Sequence, residues 1–139
     1  MVRVIIDTCV WSHFLRRDRA EPTPVSREVE RLIKRHAIQM LGPIRQELLS
    51  GAQPQERFNQ LKEYLRYYPN LSLDSEDDEN AAHYYNICRK NGVRGTATDL
   101  LICAVSVRYG LRVFTTDTDF DAYGRHLPLI RHRYRGEMA

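Results

Sequence analysis

From residue 100 to residue 107 the chain reads Leu-Leu-Ile-Cys-Ala-Val-Ser-Val, apolar nearly all round a helix and not along one stripe. A helix of that kind has no face to offer water, so it predicts a central element covered on every side. Thr96 or Thr98 is placed to cap it, and Gly110 is placed to stop it after Tyr109. The rest of the chain must supply the cover.

That cover reads as strands alternating with helices. The β-branched run 2–6 predicts a buried strand, and residues 9–17 a helix. Residues 21–24 (Glu-Pro-Thr-Pro) read as a break. Residues 26–36 form a helical pattern with Val29, Leu32 and Ile33 on one face. Residues 37–41 look like a second strand. The helices that follow are expected over 43–51, over 54–67 with the stripe Phe58, Leu61, Tyr64 and Leu65, and from the Asp74-Ser75 cap to about Lys90. Residues 70–73 are a possible short strand, 111–115 a strand, 117–123 a turn and short helix, and 127–130 a last strand. Alternation of this kind predicts an α/β domain with a mostly parallel sheet. A length of 139 residues fits one domain over 1–139.

Composition removes several function classes. Hydrophobic residues at 42% and charged residues at 28% suit a globular chain and argue against wholesale disorder. The net charge of +3 is only mildly basic. Apart from Lys34, Lys62 and Lys90 the basic residues are arginines, whose forks suit phosphate, although a GC-rich genome yields the same bias. Cys9, Cys88 and Cys103 show neither a disulfide framework nor zinc spacing, and Cys9 and Cys103 read as small core residues. No apolar run reaches membrane-spanning length, and the first residues lack a signal-peptide layout, so a cytoplasmic location is expected. There is no phosphate-binding glycine loop, no His-Glu-x-x-His pattern and no nucleophile elbow around any serine.

The acids are informative by position. Asp7 follows the first strand, Asp99 sits in the first turn of the apolar helix, and Asp117, Asp119 and Asp121 follow the strand at 111–115. Ligands of open α/β sheets bind beyond the carboxyl ends of the strands. Asp99, on a buried helix, needs a partner or a metal. Glu47 borders the stripe of Ile44 and Leu48 and could face a cleft or water. Singly, each has another explanation: Asp7 as a helix cap, Asp117 and Asp119 as turn formers, Asp99 as a complement to the helix dipole. Together they would crowd like charges at one end of the sheet, and a hard divalent cation relieves that crowding. This predicts a carboxylate-only Mg²⁺ or Mn²⁺ site for phosphate chemistry. The run 76–79 (Glu-Asp-Asp-Glu) reads instead as acids favouring a helix N-terminus. The segment 131–135 (Arg-His-Arg-Tyr-Arg) reads as a solvated basic tail, with RNA phosphates as the alternative contact.

Four segments then resemble, in order, the motifs of PIN-domain ribonucleases, and in particular of VapC-type toxins. They are Val-Ile-Ile-Asp-Thr-Cys-Val-Trp-Ser with Asp7, Pro-Ile-Arg-Gln-Glu-Leu-Leu-Ser-Gly with Glu47, Thr-Ala-Thr-Asp-Leu-Leu-Ile-Cys-Ala-Val-Ser with Asp99, and Arg-Val-Phe-Thr-Thr-Asp-Thr-Asp-Phe with Asp117 and Asp119. Cys9 stands where Ser or Asn is common and Cys103 where Ala is common; neither removes a carboxylate. The resemblance implies a three-layer α/β/α domain. It implies Asp7, Asp99 and Asp117 as metal ligands, with Glu47 and Asp119 completing a catalytic pocket. Thr8 and Thr116 would help to position ligands or phosphate. It further implies Mg²⁺-dependent (or Mn²⁺-dependent) hydrolysis of RNA phosphodiesters, a homodimer, and a VapB-like antitoxin that blocks the cleft. Trp11, Phe14 and Leu15 are candidates for that interface, with core packing the alternative for Trp11. A PIN nuclease that processes RNA without an antitoxin, and a non-catalytic binding module, are the competing expectations.

Overall fold

The computed structural model describes residues 2–16 and 21–137. Three strands form one parallel sheet: β1 (Val4–Ile6), β2 (Ile38–Gln39) and β3 (Arg112–Phe114), in the order β2-β1-β3. Val4 pairs with Ile38 on one side of β1 and with Arg112 on the other, and Ile6 faces Phe114. All three residues of β1 are buried, as a central strand covered on both faces requires.

The helices are α1 (Thr8–Phe14), α2 (Pro24–Lys34), α3 (Gly42–Leu49), α4 (Gln55–Leu65), α5 (Ser75–Lys90), α6 (Ala97–Tyr109) and α7 (Asp119–Gly124). The expected end of the first helix at Arg17 lies outside the described residues. Pro24, read as part of a break, opens α2: a proline fits a first turn, and Thr23 caps it by accepting from the Ser26 N–H. α6 is the buried helix the apolar run predicts, with Leu100, Ile102, Cys103, Ala104, Val105 and Ser106 covered. Thr96 caps it, and Gly110 ends it in the left-handed conformation at φ 68°.

Two expected strands are absent. Residues 70–73 contribute a single bridge, Met40 to Asn70. Residues 127–130 form no strand; contact with the outer edge of β3 starts only at Ile130, whose carbonyl accepts from Val113 N–H at 3.0 Å, and ends where His132 N–H donates to Val113 O at 2.8 Å, a single bridge between Val113 and Arg131. The 131–135 segment is therefore not a solvated tail. His132 is buried against Glu28, with Nε2 2.5 Å from Oε2, and Arg131 pairs with Asp121. Trp11 is fully buried beside Tyr68, which settles it as core, while Phe14 and Leu15 are half-buried. Cys9 is exposed, contrary to the core reading, because α1 turns Val10 and Trp11 inward and leaves Cys9 on the other side.

Candidate metal centre

The parallel register sets the first two groups. Because Ile6 pairs with Phe114, the next residues, Asp7 and Thr115, leave the sheet side by side, and Asp7 N–H donates to Phe114 O at 2.9 Å. Thr115 Oγ1 donates to Asp7 Oδ2 at 2.7 Å and accepts from the Asp117 N–H at 3.0 Å. Asp7 Oδ1 accepts from Thr8 N–H at 2.9 Å, so Asp7 caps α1 and faces the pocket at once.

Asp99, Asp117 and Asp119 each offer a carboxylate oxygen, and these three oxygens lie within 4.8 Å of one another. The metal set expected from sequence is Asp7, Asp99 and Asp117; the three oxygens that lie this close belong to Asp99, Asp117 and Asp119. Asp7 stands close enough to feel the others. Burial raises its carboxyl above the ordinary range, and the charge of Asp117 adds to that rise against the bonds from Thr115, Thr8 and Cys9. Asp99 is raised for the same reasons: burial first, opposed by a bond from Tyr123, then the charges of Asp7 and Asp117. Glu47 is exposed on α3 and reaches the rim through Thr8, whose Oγ1 donates to Oε1 at 2.7 Å. Thr116 turns its hydroxyl to Cys9 Sγ at 3.4 Å.

Two supporting residues were not singled out from the sequence. One is Thr115, hidden between the named Thr116 and a buried strand. The other is Tyr123, whose hydroxyl donates to Asp99 Oδ2 at 2.8 Å from a ring that is 1% exposed. Only the helical spacing of Phe120 and Tyr123 after the Asp117 turn hinted that this ring points inward. Gly95 makes room for it: a Cβ there would lie 2.1 Å from Leu100 Cδ2 and 3.2 Å from Tyr123 Cε1. Arg94 is exposed in the turn before α6.

The donor set fits a hard divalent cation. It is all oxygen, converging and charged, and carboxyls that repel one another at such close range gain from a neutralising ion. Tyr123 holds Asp99 through Oδ2, as groups behind a carboxylate commonly fix its orientation.

A parallel α/β sheet with acids gathered beyond its strand ends defines a class of acidic-pocket domains. The PIN domain family matches residues 4–126. Curated relatives agree: the VapC ribonuclease Mb1587 of Mycobacterium bovis and ribonuclease VapC11 of Mycobacterium tuberculosis are each 35% identical over 127 residues, covering 88% of this chain and 92% of theirs. This chain belongs to the PIN-domain family. Among solved structures, FitAcB from Neisseria gonorrhoeae superposes with a TM-score of 0.74 at 22% identity, covering 94% of this chain and 96% of that one. VapBC2 from Rickettsia felis, bound to a promoter DNA fragment, superposes with a TM-score of 0.76 at 15% identity, covering 95% and 98%. At those identities the likeness speaks for the fold.

Proposed function

We propose that this chain is a divalent-metal-dependent endoribonuclease, the toxin of a pair neutralised by a VapB-like antitoxin. The observation that carries the reading is the meeting of the Asp99, Asp117 and Asp119 oxygens within 4.8 Å at the carboxyl end of the sheet. The identity to VapC ribonucleases over most of the chain supports the substrate class.

Asp99, Asp117 and Asp119 would hold the ion, Mg²⁺ or Mn²⁺, with Asp7 as a further ligand. The cation would neutralise the carboxylates, polarise the scissile phosphate and lower the pKa of the attacking water. Thr115 fixes Asp7 and the Asp117 backbone in one gesture, and Tyr123 fixes Asp99. Glu47, exposed and accepting from Thr8 Oγ1 at Oε1, would take the proton from the attacking water. Without the ion the acids repel the phosphate backbone, so binding of substrate and ion are coupled.

The antitoxin reading has its own surface. Phe14, Leu15, Arg57, Leu61 and Tyr64 line a groove of about 390 Å³ between α1 and α4. An apolar floor with a basic rim suits an amphipathic helix carrying acids at its edge. The chain would act as one PIN domain over 1–139, as a homodimer in the cytoplasm. No helix of the described residues is long and apolar enough to cross a membrane.

The test is cleavage of cellular RNA by purified wild-type and Asp99→Asn protein, with Mg²⁺ or Mn²⁺ and with chelator. Cleavage by the wild type alone, abolished by chelation, supports the reading; equal cleavage by Asp99→Asn sinks it. An adjacent antitoxin gene product that blocks cleavage separates the toxin from an RNA-processing enzyme of the same fold.

A further inference from the structure

Beside the acidic pocket lies a basic one. A trough of about 580 Å³ runs along the outer side of β3 and the end of α7, bounded by Arg112, Arg125, Arg131 and Arg133, with Asp121 as its one acid. Two of these arginines have partners: Arg131 pairs with Asp121, and Arg133 with Glu137 at 2.5 Å. Arg112 and Arg125 are exposed and make no ion pair among the described residues. Between them Ile130 stands 61% exposed, an apolar surface set among guanidinium groups. The guanidinium groups of these two arginines serve neither the core nor an ion pair; what Arg125 gives the fold is its backbone N–H, which closes α7 on Ala122 O and Tyr123 O.

Arg131 ties the trough to the acidic cluster. Arg131 Nη2 donates to Thr115 O at 2.9 Å, and the hydroxyl of that same threonine holds Asp7. Asp121 lies two residues beyond Asp119 on α7. A strand leaving the acids along this side passes directly from a region that repels phosphate to one that attracts it.

We propose that the trough is the path of single-stranded RNA flanking the cleaved bond. Arg112 and Arg125 hold successive phosphates, and Ile130 with the guanidinium planes gives the bases a surface to lie on. The inference rests on the nuclease reading and adds to it where the substrate runs. An ion pool of this sign could also attract an acidic protein, and the test separates the two. Recognition of a single strand needs backbone contacts beyond the reacting phosphate, because the acid cluster itself cannot hold the chain in place.

Full-length protein carrying Asp99→Asn, so that RNA stays intact, is titrated with labelled single-stranded RNA in Mg²⁺ across a salt series. The same is done after adding Arg112→Ala with Arg125→Ala, and separately Arg112→Lys with Arg125→Lys. Both side chains are exposed and unpaired, so folding is expected to survive, which circular dichroism checks. The alanine pair should weaken binding roughly tenfold at low salt and flatten the slope of log K against log salt by about 1.4, at about 0.7 per single-strand phosphate contact. The lysine pair should retain most of the slope. Unchanged affinity and slope in the alanine pair, while wild-type protein still cuts RNA, overturns the trough alone. The same result with loss of antitoxin capture assigns the trough to protein and also overturns it. Failure of the wild type to cut RNA with any divalent ion overturns the nuclease reading and the RNA path with it.

Discussion

Asp99 stands under two demands, burial in the end of the core helix and repulsion from its acidic neighbours. Both raise its carboxyl, burial most, and the Tyr123 bond only partly offsets them. A carboxyl raised by folding stabilises the fold in its protonated form. That contribution is complete below the unfolded range, near about 3.9, and is lost as pH rises through the higher folded value. In metal-free protein at neutral pH the ionised group is therefore a cost. Asp99→Asn, expected to abolish cleavage, should raise the metal-free melting temperature at neutral pH, and the gap should close as the solution is acidified; a calorimetric pH series checks it. Tyr123→Phe removes one donor from Asp99. The expected outcome is a loss of about 1 kcal/mol in stability and divalent affinity weakened about tenfold, read by Mn²⁺ titration calorimetry. Unchanged ion affinity would make Tyr123 a packing residue only.

At the scale of elements, the loop into α6 and the seam between α2 and the final segment carry the next predictions. Gly95 lets that loop pass against Leu100, which is fully buried, and Tyr123. Gly95→Ala should cost about 1–3 kcal/mol through overpacking, and should lower ion affinity as well because the ring it displaces holds Asp99. Denaturant unfolding and the same calorimetry measure both. Glu28 on α2 is buried against His132. Burial pushes its carboxyl up, but the bonds from Arg31 and His132 outweigh that and leave it below the ordinary glutamate range. A lowered carboxyl stabilises above its unfolded value, and that stability disappears as pH falls through the folded one. Glu28→Gln should therefore destabilise at neutral pH yet show a shallower loss of stability on acidification, measured by urea unfolding at neutral and acidic pH. Equal acid sensitivity in the two proteins would remove Glu28 from the account. The segment that includes His132 was read from sequence as a tail. Its arginines concealed that one histidine is a buried anchor, since a basic run looks the same whether it is solvated or paired.

For the whole molecule, the proposed cation centre would relieve the mutual repulsion of the acids gathered at the end of the sheet. An ion that binds only the folded state stabilises it by mass action, by about 2.7 kcal/mol at a concentration a hundred times its Kd. Mg²⁺ or Mn²⁺ should thus raise the melting temperature of wild-type protein by several degrees, chelator should reverse it, and Asp99→Asn should abolish the rise. A wild-type melting curve indifferent to either ion would count against the centre. The order of elements, the parallel sheet and the buried α6 were legible because hydrophobic period and capping residues are local. The two false strands were not: 70–73 and 127–130 have strand-like composition, but pairing depends on whether a neighbouring edge lies in register.

Residue order alone settled that four acids would follow strand ends or open the buried helix, since alternation and the parallel connection leave few other places for them. Folding alone decided which oxygens meet. Asp119 joins Asp99 and Asp117, Thr115 donates to Asp7, and Tyr123 arrives at Asp99 from twenty-four residues further along the chain. Distances of a few ångströms depend on helix rotation and loop path, to which every packed neighbour contributes, and no short stretch of chain encodes that sum.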